Sequence, residues 1–286
     1  MVQIIKGKEI AENLCGSIKI QIEDLKKRGI TPRIALVNAG DDPASKIYVS
    51  KKEKLAESLG ISSAVYALGN EVKEEKIAKL IEELNNDQKI HAILLQSPLP
   101  EGLSFRKLVD LIRPDKDVDG LTTINQGRLF TGENCVVPCT PLGVLHLLKT
   151  VHEKIAGLHV VILGRSYIVG RPLAQLLLNN NCSVTSLHSY SRDLPFLCKA
   201  ADIVISAIGK PMFIGRDFIK KGATVIDVGI TRIEQDGKKK IVGDVNFNEV
   251  SEIAGAITPV PNGVGPMTVA CLMQNTLSLA IAHCIS

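Results

Sequence analysis

Two kinds of hydrophobic pattern alternate along this chain of 286 residues. Short apolar runs that are typical of buried strands lie at 32–37, 62–68 and 90–96. Between them, at about 44–59 and 73–85, apolar residues recur at helical spacing. Such alternation of strands and helices predicts a parallel sheet covered by helices.

A second block with the same alternation begins at Leu158. Its strands are predicted at 158–163, 183–187, 202–207 and 224–228. A helix opened by Thr140-Pro141 is expected to connect the two blocks. The last helix, opened by Pro266, is expected to pack back on the first block. Its apolar part, Val269 to Ala282, is interrupted by polar residues and is predicted to be a buried helix, not a membrane span.

Tyr48 and Lys52 lie one helical turn apart in the first predicted helix. With Ser45 taken as the N-cap and about 100° per residue, both fall on an apolar face that also carries Leu55 and Leu59. An ammonium group held against apolar surroundings loses hydration, which lowers its pKa and makes a neutral amine available for proton transfer. The alternative is that Lys52 snorkels, with its methylene groups on the core and its charge in water.

The loop after Leu163 has features of a dinucleotide site. Gly164, Ser166 and Gly170 follow a strand and precede a helix, which directs backbone N–H groups towards a pyrophosphate. Because Ser166 replaces the second glycine of the G-x-G-x-x-G pattern, the motif alone fits a tight structural turn equally well.

The choice of cofactor depends on the end of the next strand, where NAD sites often carry an acid. Here no acid occurs before Asp193. Arg165, Ser189 and Arg192 have the donors to bind a 2′-phosphate. The sequence therefore favours NADP over NAD.

The composition of the chain indicates which ligands and which cellular location to expect. The chain has no Trp, 3% aromatic residues and a net charge of +4, which argues against a nucleic-acid interface. Seven scattered Cys residues are typical of a reducing cytosol, and the amino terminus lacks a targeting layout, so we expect a cytoplasmic protein with no membrane partner. The C-x3-C spacing of Cys135 and Cys139 has no nearby His cluster, so no metal site is expected.

Taken together, several long motifs in one order resemble the bifunctional methylenetetrahydrofolate dehydrogenase/cyclohydrolase family over nearly the whole chain. They are Asp42-Pro43-Ala44-Ser45 with Tyr48 and Lys52, Leu94-Leu95-Gln96-Ser97-Pro98-Leu99-Pro100, Pro114-Asp115-Lys116-Asp117-Val118-Asp119-Gly120, Pro138-Cys139-Thr140-Pro141, Gly164-Arg165-Ser166 with Val169-Gly170, and Thr258-Pro259-Val260-Pro261-Asn262-Gly263-Val264-Gly265-Pro266-Met267-Thr268.

The resemblance implies oxidation of 5,10-methylenetetrahydrofolate by NADP and hydrolysis of the methenyl product to 10-formyltetrahydrofolate. By motif position Lys52 is expected to be the catalytic lysine, Tyr48 to stack on the folate and Gln96 to hydrogen-bond Lys52. Asp119 is expected to bind the amino edge of the pterin. Read alone, Gln96 also fits a loop cap, and Asp119 fits an Asx turn. Asp117 equally fits a solvated position and is assigned no role.

The same resemblance implies cofactor contacts by Gly164, Arg165, Ser166, Ser189 and Ile230. It further implies a homodimer and a place in purine biosynthesis.

The expected fold is α/β with two parallel-sheet domains and a cleft between them. Residues 1–139 plus 267–286 would form the folate-binding catalytic domain, and 140–266 a Rossmann-like NADP-binding domain. Gly263 and Gly265 would let backbone approach the substrate, although a rigid domain crossover would also explain these glycines.

Two residues depart from the family pattern. Asn262 stands where the family usually has Gly, and we expect it to adopt the positive φ that this position needs. Ser97 replaces a usually apolar residue. These departures bear on affinity more than on reaction type. Two alternatives stay open: a relative with dehydrogenase activity only, and a non-catalytic sensor that binds NADP without folate turnover.

Overall fold

The computed structural model describes residues 1–235 and 237–283. The strands formed by these residues are β1 (Gln3–Ile4), β2 (Arg33–Ala39), β3 (Ser62–Leu68), β4 (Ala92–Leu95), β5 (His159–Leu163), β6 (Ser183–Leu187), β7 (Ile203–Ser206), β8 (Thr224–Asp227), β9 (Thr231–Gln235), β10 (Lys238–Val242) and β11 (Ala256–Ile257). The α-helices are α1 (Gly7–Lys27), α2 (Pro43–Leu59), α3 (Glu74–Asn86), α4 (Phe105–Val109), α5 (Thr123–Thr131), α6 (Cys139–Val151), α7 (Gly170–Asn179), α8 (Leu194–Lys199), α9 (Phe247–Val250) and α10 (Val264–His283).

The chain divides into two compact units. The small-sheet unit comprises Asn13–Pro138 and Val269–Ser286, and the large-sheet unit comprises Met1–Glu12 and Cys139–Thr268. Both are α/β units with parallel sheets, as the sequence predicted.

The sheet of the small-sheet unit has three parallel strands in the order β3-β2-β4. Residues 34–37 of β2 and all of β4 are buried. Strands buried on both faces of a parallel sheet appear in a sequence as continuous apolar runs, which is why these two were recognisable. The predicted bounds of β3 match, whereas β2 ends two residues later and β4 is shorter at both ends than predicted.

Helix α2 begins at Pro43 because Asp42 caps it. Asp42 Oδ2 accepts hydrogen bonds from Ser45 N at 2.8 Å and from Ser45 Oγ at 2.9 Å. The prediction of Ser45 as N-cap is therefore wrong: Ser45 is buried in the first turn, and Pro43 stands where the helix needs no N–H. Gly60, with φ +84°, ends the helix in the left-handed conformation.

The sheet of the large-sheet unit has six parallel strands in the order β1-β11-β8-β7-β5-β6. The chain leaves β5 for β6 on one side and then crosses to β7 on the other side. Ligands of open α/β sheets bind at such a reversal of strand order, beyond the carboxyl ends of the strands. The loops after β5, β6 and β7 are therefore the part of this unit to search for a cofactor site.

The first twelve residues belong to the large-sheet unit, whereas the sequence placed them in the folate domain. The reason is the parallel pairing of Gln3 with Ala256 and of Ile4 with Ile257, which adds β1 to the edge of the large sheet. A pairing between residues so far apart in the chain leaves no local pattern in the sequence.

The antiparallel pair β9-β10 forms a hairpin in the same unit. The basic run Lys238-Lys239-Lys240, which follows Asp236-Gly237 in the sequence, is typical of a hairpin-like surface turn; in the structure it forms the start of β10, the second strand of this hairpin. Gly237, with φ +69°, lies in the turn, and Asp236 lies outside the described residues.

The terminal helix α10 begins two residues before the predicted opening at Pro266. By length and composition it resembles a membrane span, with a mean hydropathy of 1.3, yet 61% of its apolar window is buried within the protein. Asn275 Nδ2 donates to Val118 O at 2.9 Å and to Val137 O at 3.0 Å. These bonds hold the second part of the helix to the first block, as predicted.

Candidate active site

Lys52 and Gln96 form a hydrogen-bonded pair in the small-sheet unit. Lys52 Nζ donates to Gln96 Oε1 at 2.8 Å. Lys52 lies between buried Val49 and Ala56 on α2, so the prediction that it falls on the apolar stripe is confirmed. The side chain is half-buried and its amine turns towards Gln96, which differs from the simple snorkelling alternative.

The amide of Gln96 is fixed from several directions. Gln96 follows β4 and is only 9% exposed, and its backbone N–H donates to Val37 O at 2.8 Å. Its Nε2 donates to Ser97 O at 2.5 Å, which leaves Oε1 as the atom facing Lys52. Because the acceptor for Lys52 Nζ in this bond is a neutral amide, the bond favours the charged ammonium less than a carboxylate would.

The departure at Ser97 does not disturb this arrangement. Ser97 contributes its backbone oxygen to the bond with Gln96, and its own side chain is exposed. The contact therefore uses no atom of the Ser97 side chain.

Tyr48 lies at the edge of the same helix face. Its side chain is 41% exposed, more than the predicted position on the apolar face implied. Lys51 Nζ lies 6.0 Å from the centroid of the ring. An exposed aromatic ring one turn before Lys52 is available to stack on a planar ligand.

Asp119 stands in a segment held by two buried charges that the sequence did not reveal. Lys116 is fully buried, and its Nζ donates to Leu84 O at 3.0 Å and Asp87 O at 2.8 Å. These acceptors lie at the end of α3, where carbonyl groups lack helical partners. Burial lowers the pKa of Lys116.

Asp117 is likewise buried, which decides against the solvated position that the sequence left open. Its Oδ2 accepts from Thr122 N at 2.8 Å and from Asn125 Nδ2 at 2.9 Å. Burial raises the pKa of Asp117, against the effect of these donors. Both residues precede half-buried Asp119, and the bonds of Asp117 to Thr122 and Asn125 connect the chain before Asp119 to the chain after it.

In the large-sheet unit, glycines allow the loop after β5 to close tightly. Gly164 has φ +112°, and a Cβ there would lie 2.3 Å from Ala207 O. A Cβ at Gly170 would lie 2.1 Å from Gly164 O. Ser166 Oγ accepts from Val169 N and Gly170 N, both at 3.3 Å. Ser166 therefore supports the start of α7, which explains why the loop forms without the second glycine of the motif.

A pocket of about 270 Å³ opens at the carboxyl ends of β5, β6 and β7. Gly164, Arg165 and Ser189, three of the predicted cofactor contacts, line it. The other lining residues are Leu163, Leu187, His188, Leu194, Ala207, Ile208, Lys210 and Phe213. An apolar floor with cationic and hydroxyl groups at its rim fits the adenosine end of NADP. Arg192, a candidate from the sequence, is not among the residues of this lining.

Ser166 and Ile230 are outside that lining. Ser166 lies in the adjoining turn, and Ile230 follows β8 with half of its side chain exposed. A Cβ at Gly265 would lie 3.6 Å from Ile230 Cδ1, so these two predicted site residues are neighbours.

Asn262 has φ +77°, which confirms the positive φ expected of it. Its carbonyl oxygen accepts from Lys8 N at 3.1 Å, near the start of α1. A Cβ at Gly263 would lie 2.4 Å from Pro259 O, so this loop is folded tightly on itself.

Two buried aspartates tie together the loops around the pocket. Asp227 Oδ1 accepts from Gly229 N at 2.9 Å and Asp244 N at 3.0 Å, while Oδ2 accepts from Val245 N at 2.9 Å. Asp244 Oδ2 accepts from Ser206 Oγ at 3.0 Å and from Ile208 N at 2.8 Å. The pair therefore positions both Ile208 of the pocket and the residue before Ile230. Sequence reasoning missed it, because no local pattern shows that Asp227, at the end of β8, meets Asp244.

Among the described residues, no group of three or more His, Cys, Asp or Glu side chains is arranged to hold a metal ion.

Comparisons with known proteins connect this geometry to a family. The family model described as "Tetrahydrofolate dehydrogenase/cyclohydrolase, catalytic domain" matches residues 5–119. The model of the NAD(P)-binding domain of the same family matches residues 138–284. The chain is 49% identical over 280 residues to the Bifunctional protein FolD of Ehrlichia ruminantium (strain Gardel), an alignment that covers 97% of this chain and 93% of that protein.

Two solved structures are also similar to this chain. The bifunctional FolD methylenetetrahydrofolate dehydrogenase/cyclohydrolase of Campylobacter jejuni superposes with a TM-score of 0.96 at 41% identity and 99% coverage of both chains. The Trypanosoma brucei methylenetetrahydrofolate dehydrogenase-cyclohydrolase, solved with NADP and an inhibitor, gives a TM-score of 0.95 at 35% identity, covering 100% of this chain and 99% of that one.

The geometry around Asp119 can be tested with Gly120→Ala. Gly120 has φ +64°, and a Cβ there would lie 2.5 Å from Val136 O. We expect this variant to lose at least about 2 kcal/mol of unfolding free energy. Gly127→Ala is the matched control: its Cβ would meet nothing within 4 Å at this exposed position of α5, so stability should rise by about 0.5–1 kcal/mol. Equal thermal shifts in the two variants would contradict the assigned strain.

The buried pair of Asp227 and Asp244 predicts that the stability of the protein depends on pH. Burial raises the pKa of Asp227 from 3.8 to about 7, and the charge of Asp244 acts in the same direction. An acid whose pKa is higher in the folded state contributes stability that is present at low pH and is lost as the pH rises to that value. The melting temperature of the wild type minus that of Asp227→Asn should therefore decrease from pH 5 to pH 8. An increase over this range would show that the carboxylate is stabilised by its N–H donors despite burial.

Proposed function

Because this chain belongs to the tetrahydrofolate dehydrogenase/cyclohydrolase family, it is a bifunctional NADP-dependent enzyme, and we propose that Lys52 and Gln96 carry out the proton transfer of its hydrolytic step. The dehydrogenase activity oxidises 5,10-methylenetetrahydrofolate to the methenyl compound. The cyclohydrolase activity converts that compound to 10-formyltetrahydrofolate. The observation that carries the proposal is the 2.8 Å hydrogen bond between Lys52 Nζ and Gln96 Oε1.

The oxidation step depends on the alignment of the substrate with NADP more than on an acid or a base. Loss of hydride from a carbon between two nitrogens leaves a delocalised cation, and NADP when bound supplies the hydride acceptor. The backbone at Gly164 and Gly170 provides the close approach that a pyrophosphate needs. Arg165 and Ser189 provide donors for the ribose phosphate, and Ile230 an apolar contact.

Hydrolysis needs a group that exchanges protons. Water must lose a proton as it attacks the cationic methenyl carbon, and the departing nitrogen must gain one. In its neutral form Lys52 Nζ accepts a proton from the attacking water and passes it to the departing nitrogen. The second proton of that water leaves to solvent as the formyl carbonyl forms, which balances the positive charge of the substrate. The cationic substrate next to this amine disfavours the ammonium form, and Gln96 Oε1 fixes the direction in which Nζ points.

The remaining two residues bind the substrate. Tyr48 offers an exposed ring for stacking on the folate, one turn from the reacting amine. Asp119 binds the amino edge of the pterin from the segment that Lys116 and Asp117 hold in place.

Lys52→Met tests the proton-transfer role. This change keeps the length of the side chain and removes the amine, so hydrolysis of methenyltetrahydrofolate should fall by at least about 10²-fold. The affinity for NADP should stay the same. Lys54→Met, at an exposed position of the same helix, is the control and should hydrolyse at the wild-type rate. The decay of methenyl absorbance measures the reaction directly.

Near-normal hydrolysis by Lys52→Met would refute the role of Lys52. Wild-type enzyme that accumulates methenyl compound without accelerating its decay would identify a dehydrogenase-only relative. NADP binding with no turnover of either folate would identify a sensor.

The assembly and the setting of the enzyme are further proposals. Resemblance to the family supports a homodimer formed through the nucleotide-binding units, a cytoplasmic location and a contribution to purine biosynthesis. Exposed apolar side chains of the large-sheet unit, Phe196 and Leu178 among them, agree with a protein contact. Interaction with nucleic acid or membrane is not expected.

Sedimentation velocity tests the homodimer. The mass should be twice that of the 30.9 kDa chain at micromolar concentration. A species of 30.9 kDa that persists up to high concentration would contradict the proposal.

A further inference from the structure

Lys210 lines the same pocket as Arg165 and Ser189, although it comes from a different loop. It follows β7, whereas Ser189 follows β6 and Arg165 follows β5. The two cationic side chains, Arg165 and Lys210, thus come from the loops after two neighbouring strands, β5 and β7. None of the described residues that line it is acidic.

The loop that carries Lys210 is firmly held. Ile208 N donates to buried Asp244 Oδ2 at 2.8 Å, and Met212 N donates to Gly243 O at 3.0 Å. The ring of Phe213 packs edge-on against Phe218, with centroids 5.6 Å apart. The backbone of Lys210 is therefore anchored on both sides, so binding requires little ordering of this loop.

The side chain of Lys210 extends over an aromatic surface at the rim of the pocket. Its Nζ lies 5.3 Å from the centroid of the Phe213 ring, within the range of a cation–π contact. His188 differs from Lys210, because its Nδ1 accepts a hydrogen bond from Tyr190 N at 3.2 Å. Lys210 and Arg165 are the Lys and Arg side chains among the residues that line the pocket.

We propose that Lys210 determines cofactor specificity by donating, together with Arg165, to the 2′-phosphate of NADP. A dianionic 2′-phosphate between two cations accepts charge-assisted hydrogen bonds, whereas the neutral 2′-hydroxyl of NAD forms weaker ones. Lys210 thereby takes the role that the sequence suggested for Arg192, which lies outside the pocket lining. The inference refines the cofactor use stated above and rests on it.

Lys210→Met tests this assignment in the full-length enzyme. We expect kcat/KM for NADP to fall about 10-fold or more, while kcat/KM for NAD changes less than about 2-fold. The dissociation constant of NADPH, measured by fluorescence without folate, should rise by the same factor as kcat/KM falls. Lys210→Arg should retain most of the preference for NADP, since it keeps the charge and the donors.

Two variants complete the design. Lys199→Met removes an exposed charge at the end of α8, outside the pocket, and serves as the baseline. Arg192→Met should leave the ratio of NADP to NAD activity at the wild-type value.

Equal losses with NADP and NAD would place Lys210 at the pyrophosphate or adenine and overturn the proposal. An unchanged ratio in Lys210→Met, or a selective loss in Arg192→Met, would overturn it as well. These outcomes are separable from failure of the proposed function, because wild-type turnover of methylenetetrahydrofolate tests that function independently.

Discussion

The hydrogen bond between Lys52 Nζ and Gln96 Oε1 is the interaction on which the chemistry of the small-sheet unit depends. It joins a helix to the end of a strand, so its geometry is only as good as the packing of both. Val49 and Ala56 fix the helix on either side of Lys52, and the bond from Gln96 N to Val37 O fixes the strand end. An amine that must accept and return a proton at one carbon needs this positional control more than it needs strong binding.

In the large-sheet unit, the geometry of the backbone determines how closely a cofactor can approach. A pyrophosphate must approach the chain closely, and the contacts of Gly164 with Ala207 and of Gly170 with Gly164 leave no room for a Cβ. Asp227 and Asp244 then hold the neighbouring loops by accepting backbone N–H groups. Burying two carboxylates this way is costly unless donors satisfy them, and the benefit is a set of loops that needs little ordering when cofactor binds.

Local patterns predicted the parts of the structure that local physics decides. The bounds of β3 and β6 could be read from apolar runs, and Lys52 could be placed on its stripe from helical periodicity alone. The positive φ of Asn262 followed from the tolerance of Asn for that region. Gln96 was identified from the family resemblance, since its place at the carboxyl end of a parallel strand fits a ligand site but also fits a loop cap.

Predictions from the sequence failed where a contact with a residue distant along the chain determines the structure. The pairing of β1 with β11 moved the first residues into the other unit, and nothing near Gln3 signals it. The burial of Lys116 and Asp117 was not predicted, because periodicity does not show which carbonyl or N–H group will meet them. The same holds for Asp244, whose donors come from residues nearly forty positions away.

A double-mutant cycle on cyclohydrolase rate tests the central claim, that Lys52 and Gln96 act as one unit. The variants are Lys52→Met, Gln96→Leu and the double substitution, compared by the initial rate of methenyltetrahydrofolate hydrolysis. If Gln96 acts by orienting the amine, the double variant should be no slower than Lys52→Met. Losses that multiply would show that the two side chains work independently and would contradict the account.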